Sequence, residues 1–307
     1  MAENNQMDEY EAQSARINER MDKISRKIMI MSGKGGVGKT TVTINLANEL
    51  VDMGCTVGVL DVDLHGPNVA KMLGAEGMEL SSPDGITMNP VEVRKGLKVM
   101  SLSFALEDPE APVIWRGSLK NSAIRQFLGD TEWGTLDYLL IDTPPGTGDE
   151  QLTVIQSVMS LTGAIIVTTP QQVAVLDSKR SVTFARKCGM AIIGVIENMS
   201  GLKCPHCGEE IYIFGKDGGK NMCSEMHVPF LGAIPMEVDL CRAEDKGENW
   251  AKEEGMHPSR DAFRAIADAI NNGTACSTGR DTSFLGTSSC SPSACASCTS
   301  NCPSRKK

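Results

Sequence analysis

The run GKGGVGKT at positions 33–40 leaves the chain around it few ways to fold. It satisfies G-x-x-x-x-G-K-[ST], follows an apolar run that reads as a strand, and opens a run that reads as a helix. Glycines let the backbone wrap a phosphate without Cβ clashes, so that several N–H groups point inward, and the helix N-terminus adds partial positive charge. Lys39 is expected to neutralise the β- and γ-phosphates of ATP, and the Thr40 hydroxyl to ligate Mg²⁺. Gly33, Lys34, Gly35, Gly36, Val37, Gly38 and Thr41 complete the expected nucleotide-binding set. A chance glycine-rich turn is the bland alternative, and the full motif in its strand–loop–helix setting speaks against it.

From Lys27 onward, short apolar runs alternate with helical ones. Strands are expected at 28–32, 57–61, 97–102, 138–142, 164–168, 192–197 and 230–234. Helices are expected to begin near Lys39, Gly117, Asp149, Val173 and Glu237, with a last one at 258–271. Alternation of this kind predicts an α/β fold, a mostly parallel, doubly wound sheet with helices on both faces. The runs AIIVTT and AIIGVIEN are apolar nearly throughout, as strands buried on both sides are. Three segments follow from the pattern. Residues 1–25 form a polar extension able to make a surface helix, 26–272 form the P-loop domain, and 273–307 form a Ser/Cys-rich tail. The tail has too few large apolar side chains to offset its ordering entropy and is expected to be disordered unless a metal ties it down.

Composition removes several function classes. The chain has 307 residues, 41% apolar and 22% charged, as a globular protein does. A net charge of −9 and only 4% aromatics argue against a nucleic-acid partner. No uninterrupted apolar run of about 18 residues is available to span a membrane. The acidic, polar N-terminus is unlike a signal peptide, so a cytoplasmic location is expected.

Acidic residues stand where a nucleotide site needs them. Asp61 and Asp63 in VGVLDVDLHGPN close the second strand, and Asp142 closes YLLID, the Walker B position for holding Mg²⁺. Lys34 is a second lysine inside the loop. With it, GKGGVGKT resembles the deviant Walker A motif of the ATPase group containing MinD, ParA, the arsenite-pump ATPase, the nitrogenase iron protein and Mrp. The resemblance implies that Lys34 reaches the nucleotide of a facing subunit and that Asp63 positions or deprotonates the attacking water. It also implies that Asp61 supports the metal site, that DTPPGTGD senses the γ-phosphate, and that Asn198 and Pro235 contact the adenine. Asn198 reads equally as a strand-end turn residue.

Eleven cysteines, an odd number in a chain without an export signal, suggest metal or redox chemistry rather than a disulfide framework. Cys204 and Cys207 have the Cys-x₂-Cys spacing used for zinc, for cluster iron or for a redox dithiol. A four-ligand site needs two more donors. His206 is expected to point away, Cys223 is distant in sequence, and no second Cys-x₂-Cys occurs in the body. A two-fold dimer giving two thiolates per chain is the simplest completion, and it agrees with the facing subunit that Lys34 calls for.

The motifs GKGGVGKT, DVDLHGPN, DTPPGTGD, TTPQ, ENMS and CPHCGE, in that order, resemble the Mrp/ApbC family of ATP-dependent iron–sulfur cluster carriers over about residues 26–270. The resemblance implies a homodimeric, slow ATP hydrolase. Such a protein binds a labile [4Fe–4S] cluster between its subunits through Cys204 and Cys207, and works between cluster scaffold proteins and apo client proteins. A zinc-holding or purely structural hairpin is the bland reading of the pair. A positioning ATPase like MinD or ParA is the alternative of a different class, but the tail has no apolar stripe for a membrane and the acidic body no basic face for DNA. A reductase component resembling the nitrogenase iron protein and a zinc metallochaperone are the remaining alternatives.

The run Cys290-x₄-Cys295-x₂-Cys298-x₃-Cys302-Pro303 departs from the family pattern, and its second half resembles part of a ferredoxin-type run. A second metal centre is expected there, a cluster ahead of zinc; a flexible tail with adventitious thiols is the alternative. Cys55, Cys188 and Cys241 read as core or surface residues, and Cys276 as a spectator.

Overall fold

The computed structural model describes residues 2–64, 66–105, 117–204, 206–249 and 257–273. The tail cysteines Cys276, Cys290, Cys295, Cys298 and Cys302 lie outside these residues. The strands are β1 (Ile24–Ser32), β2 (Val57–Asp61), β3 (Val91–Arg94), β4 (Leu97–Ser101), β5 (Leu136–Asp142), β6 (Gly163–Thr168), β7 (Ile192–Glu197), β8 (Leu202–Lys203), β9 (Glu210–Ile211) and β10 (Phe230–Ala233). The helices are α1 (Ala2–Asp22), α2 (Lys39–Asp52), α3 (Val69–Met72), α4 (Gly117–Asp130), α5 (Asp149–Ser157), α6 (Gln172–Lys187), α7 (Gly218–Met226), α8 (Val238–Asp245) and α9 (Pro258–Asn271).

Eight strands form one sheet in the order β10-β7-β6-β1-β5-β2-β4-β3, parallel throughout except for the last pair. Successive strand residues point to opposite faces. Ile28 and Ile30 of β1 therefore join one core with Val42 and Leu46 of α2 and Phe263 and Ile266 of α9. Met29 and Met31 join the other, with Ile124 of α4, Val154 of α5, Val182 of α6 and Met222 of α7. Pro258 at the start of α9 presets the helical φ, and Phe263, Ile266 and Ile270 recur at helical spacing on its buried face. After β5 the chain crosses to the far side of β1, so the strand order reverses beside the end of β1, the usual place for a ligand in such sheets.

The seven expected strands and six expected helices all form, with ends shifted by a few residues at most. Four kinds of element were not foreseen. Edge strand β3 runs antiparallel to β4 and is short and half exposed, so it leaves no apolar run to read. The β8–β9 hairpin is two residues wide. Helix α3 is a single turn, and α7 opens on Gly218 and Gly219, which read as breakers. The polar N-terminal stretch does form a helix, and Ile17 and Met21, one turn apart, are fully buried within the core. Arg125 of α4 holds this helix to the domain, donating to Gln13 Oε1 at 2.8 Å and Ser14 Oγ at 2.9 Å under the ring of Tyr10. Among the described residues no helix is long and apolar enough to cross a membrane.

Candidate nucleotide site and thiol pair

The loop between β1 and α2 has a shape that glycine alone accepts at two points. Gly36 and Gly38 have φ of 77° and 78°, in the left-handed region. A Cβ on Gly38 would lie 2.2 Å from Asn198 Nδ2, and one on Gly33 2.2 Å from the backbone of Asp177 in α6. Helix α2 starts at Lys39, whose Nζ is buried 2.7 Å from Asp142 Oδ2. The Thr40 hydroxyl donates to that same oxygen at 2.8 Å, and the Thr43 hydroxyl to Asp142 Oδ1 at 2.7 Å. Thr41 points elsewhere, donating to Glu244 on α8 at 2.9 Å.

Asp142 ends β5 and Asp61 ends β2, and the parallel register sets them opposite one another. Asp61 Oδ1 accepts the Asp63 N–H at 3.0 Å and its Oδ2 accepts the Ser101 hydroxyl at 3.1 Å. Burial first, and the Asp142 charge second, push the Asp61 carboxyl well above the usual range. Two buried carboxylates side by side call for a proton or a cation between them. Thr40, Asp61 and Asp142 form an all-oxygen donor set at the phosphate loop, which suits Mg²⁺. The buried Ser32 hydroxyl beneath the loop has no partner among the described residues. Lys34 is exposed on the loop and has no ion pair among the described residues.

The DTPPGTGD segment runs from the end of β5 into α5. Gln151 knits it together, accepting from Gly148 N at 2.9 Å and donating to Pro144 O at 2.6 Å. Asn198, at the end of β7, is 5% exposed, and its amide donates to Val37 O at 2.9 Å, bracing the phosphate loop from behind. Pro235 follows β10 and is half buried.

Cys204 and Cys207 lie between β8 and β9, beyond the end of β7. Cys204 N donates to Glu209 O, and Gly208 N to Cys204 O, each at 2.9 Å, closing a tight turn. Backbone N–H groups of Cys207 and His206 turned toward the Cys204 sulfur lower its pKa and favour the thiolate, the ligating form. Cys204 is half buried and Cys207 exposed. No group of three or more metal-ligating side chains occurs among the described residues. Cys223 is no third donor: it is buried in the core, and burial together with the Glu197 charge pushes its thiol up to about 12. Cys55 and Cys188 are half buried and Cys241 exposed.

A family model described as the NUBPL iron-transfer P-loop NTPases (ParA) matches residues 23–271. The chain belongs to this family. An "iron-sulfur cluster carrier protein" of Methanocaldococcus jannaschii is 55% identical over 236 residues, 76% of this chain and 81% of that protein. The human "cytosolic Fe-S cluster assembly factor NUBP2" is 43% identical over 250 residues, 80% of this chain and 92% of that one. The structure of a nucleotide-binding protein in complex with ADP from Archaeoglobus fulgidus superposes with a TM-score of 0.68 at 38% identity, covering 80% of this chain and 98% of the other. Pyrococcus horikoshii MinD, at 24% identity and a TM-score of 0.58, shares the fold.

The motif residues Lys39, Thr40, Asp61 and Asp142 converge at the carboxyl ends of parallel strands, where the backbone N–H of Asp63 donates to Asp61. Several supporting residues escaped the sequence reading. Thr43 and Ser101 carry no motif, and their roles depend on which carboxylate the sheet register sets beside them. Gln151 had a sequence signal, as the third helical residue after Gly148, where a side chain reaches back to the cap. Glu197 stood in plain view in ENMS, but its partner Gly219 is distant in sequence.

Proposed function

We propose that this chain is a homodimeric ATPase that carries a [4Fe–4S] cluster in the cytoplasm, taking it from scaffold proteins and giving it to apo iron–sulfur clients. One observation carries the reading. The thiol pair and the exposed Lys34 are each half of a site, and both ask for the same second copy. Cys204 and Cys207 supply two thiolates where a cluster takes four, so the same pair from the facing chain completes the set. Among the described residues Lys34 has no counter-charge, and its exposed ammonium is placed to reach a phosphate across the interface. The names of the archaeal and human relatives support the cargo.

ATP lies with its phosphates in the 33–40 loop, and Asn198 and Pro235 contact its base. Lys39 exchanges Asp142 for the β- and γ-phosphate oxygens, a swap between two anionic partners that keeps the buried ammonium neutralised. Thr40, Asp61 and Asp142 would hold Mg²⁺, which when bound supplies positive charge to the phosphates. Asp63 orients the water that attacks the γ-phosphorus and takes up its proton, as the bond from that phosphorus to the β–γ bridging oxygen breaks and ADP leaves. The DTPPGTGD segment, held by Gln151, senses whether that phosphate is present. The tail thiols Cys290, Cys295, Cys298 and Cys302 are proposed as a second cluster site.

The test is transfer of cluster from anaerobically reconstituted protein to an apo iron–sulfur enzyme, read as recovery of that enzyme's activity. Lys39→Ala should keep its cluster but lose ATP hydrolysis on the order of a hundredfold, and with it the ATP-dependent part of transfer. Unchanged ATP-dependent transfer by Lys39→Ala would overturn the reading.

A further inference from the structure

The phosphate loop and the thiol hairpin are joined by one short stretch of chain, residues 197–204, and its first two residues face in different directions. Asn198 grips the loop through Val37 O at 2.9 Å. Glu197, buried to 1% exposure, turns the other way and accepts the Gly219 N–H, in the first turn of α7, at 2.6 Å. Its second oxygen accepts the Ser200 hydroxyl, also at 2.6 Å. Helix α7 is where the chain leaves the thiol hairpin, and Ser200 is where it enters. A single carboxylate thus fastens both ends of the segment carrying Cys204 and Cys207.

The fastening is tight. A Cβ on Gly218 would lie 2.2 Å from Pro170 O, and one on Gly219 2.9 Å from the Thr168 side chain, so the start of α7 is wedged against the end of β6. Between the two grips, Met199 has φ of 55°, a left-handed conformation costly for a residue with a side chain. The surrounding hydrogen bonds from Ser200 N to Ile234 O at 2.9 Å and from Met236 N to Gly201 O at 2.7 Å hold that bend in place. A rotation of the Val37 peptide on phosphate binding therefore has little slack to absorb it before it reaches the Glu197 carboxylate.

We propose that Glu197 is a positioning residue that transmits the nucleotide state of the phosphate loop to Cys204 and Cys207, by holding the entry and exit of the thiol hairpin to the residue next to Asn198. The idea rests on the cluster-carrier reading, but its test needs no cluster. In the metal-free chain, alkylation of each cysteine by iodoacetamide is followed by peptide mass spectrometry, with and without Mg-ADP, and exposed Cys241 serves as the internal reference. In the wild-type chain ADP should shift the rates at Cys204 and Cys207 by about threefold or more. Glu197→Gln should lose the shift while binding ADP within about twofold of wild type, because the amide keeps one acceptor oxygen where the carboxylate offers two. Glu225→Gln, which cuts only the surface tie from α7 to Lys179, should keep the shift. Should Glu197→Gln fail to fold, Ser200→Ala removes one of the two donors and should reduce the shift alone. A full shift in a folded Glu197→Gln or Ser200→Ala chain, or none in the wild type, would overturn the proposal. A wild-type chain that binds cluster yet shows no shift removes the coupling only, whereas one that never binds cluster removes the carrier reading beneath it.

Discussion

Asp142 is the residue on which the nucleotide site turns. Its two oxygens accept from two hydroxyls and an ammonium, those of Lys39 and Thr43 buried and that of Thr40 half buried, so three donors meet it before any nucleotide arrives. Replacing it with Asn would leave the Lys39 ammonium buried without its counter-charge, a loss of about 3 kcal/mol. Asp142→Asn should therefore lower the urea midpoint clearly and reduce phosphate release on the order of a hundredfold. A variant as stable as wild type would show that Lys39 has another anionic partner. At this scale the sequence was most legible where a motif names the residue: Lys39, Thr40 and Asp142 could be assigned because their chemistry is tied to spacing. Thr43 and Ser101 could not, since a hydroxyl's partner is decided by the sheet register and by nothing adjacent in the chain.

Among elements, the informative contact is between α2 and α8. Glu244 of α8 accepts from Thr41 at 2.9 Å and from Asn45 at 2.7 Å, both on the helix that follows the phosphate loop. Burial raises its pKa to about 7 against those two hydrogen bonds. Its folded-state pKa lies above the unfolded value, so between about pH 4.5 and 7 the folded chain holds a proton that the unfolded chain has released. Stability should fall as pH rises through that window and stay low above it. Glu244→Gln, which keeps an acceptor and carries no charge, should remove this dependence and gain about 2 kcal/mol relative to wild type at pH 8. Melting curves at pH 5 and pH 8 check the sign; an equal pH response in both proteins would show that Glu244 titrates normally. The elements that sequence reading missed share a cause. Helix α7 and the β8–β9 hairpin are short and glycine-flanked, and they owe their form to tertiary ties such as Glu197 to Gly219 rather than to periodicity.

At the scale of the whole molecule, the parallel sheet was legible because strands such as β6 and β7 are apolar along most of their length, and only burial on two faces explains that. The N-terminal helix was harder to place, since its burial rests on Ile17 and Met21 within an otherwise polar stretch. The thiol hairpin follows β7 at the same carboxyl edge of the sheet where β1 and β5 bring Lys39 to Asp142, and in the proposed function a second chain completes each half-site. Native mass spectrometry of the oxygen-free, ATP-loaded protein addresses that directly. Two chains holding one [4Fe–4S] cluster are expected, and Cys204→Ser should lose the cluster. A single chain retaining the cluster, or a dimer without inorganic sulfide, would contradict the account.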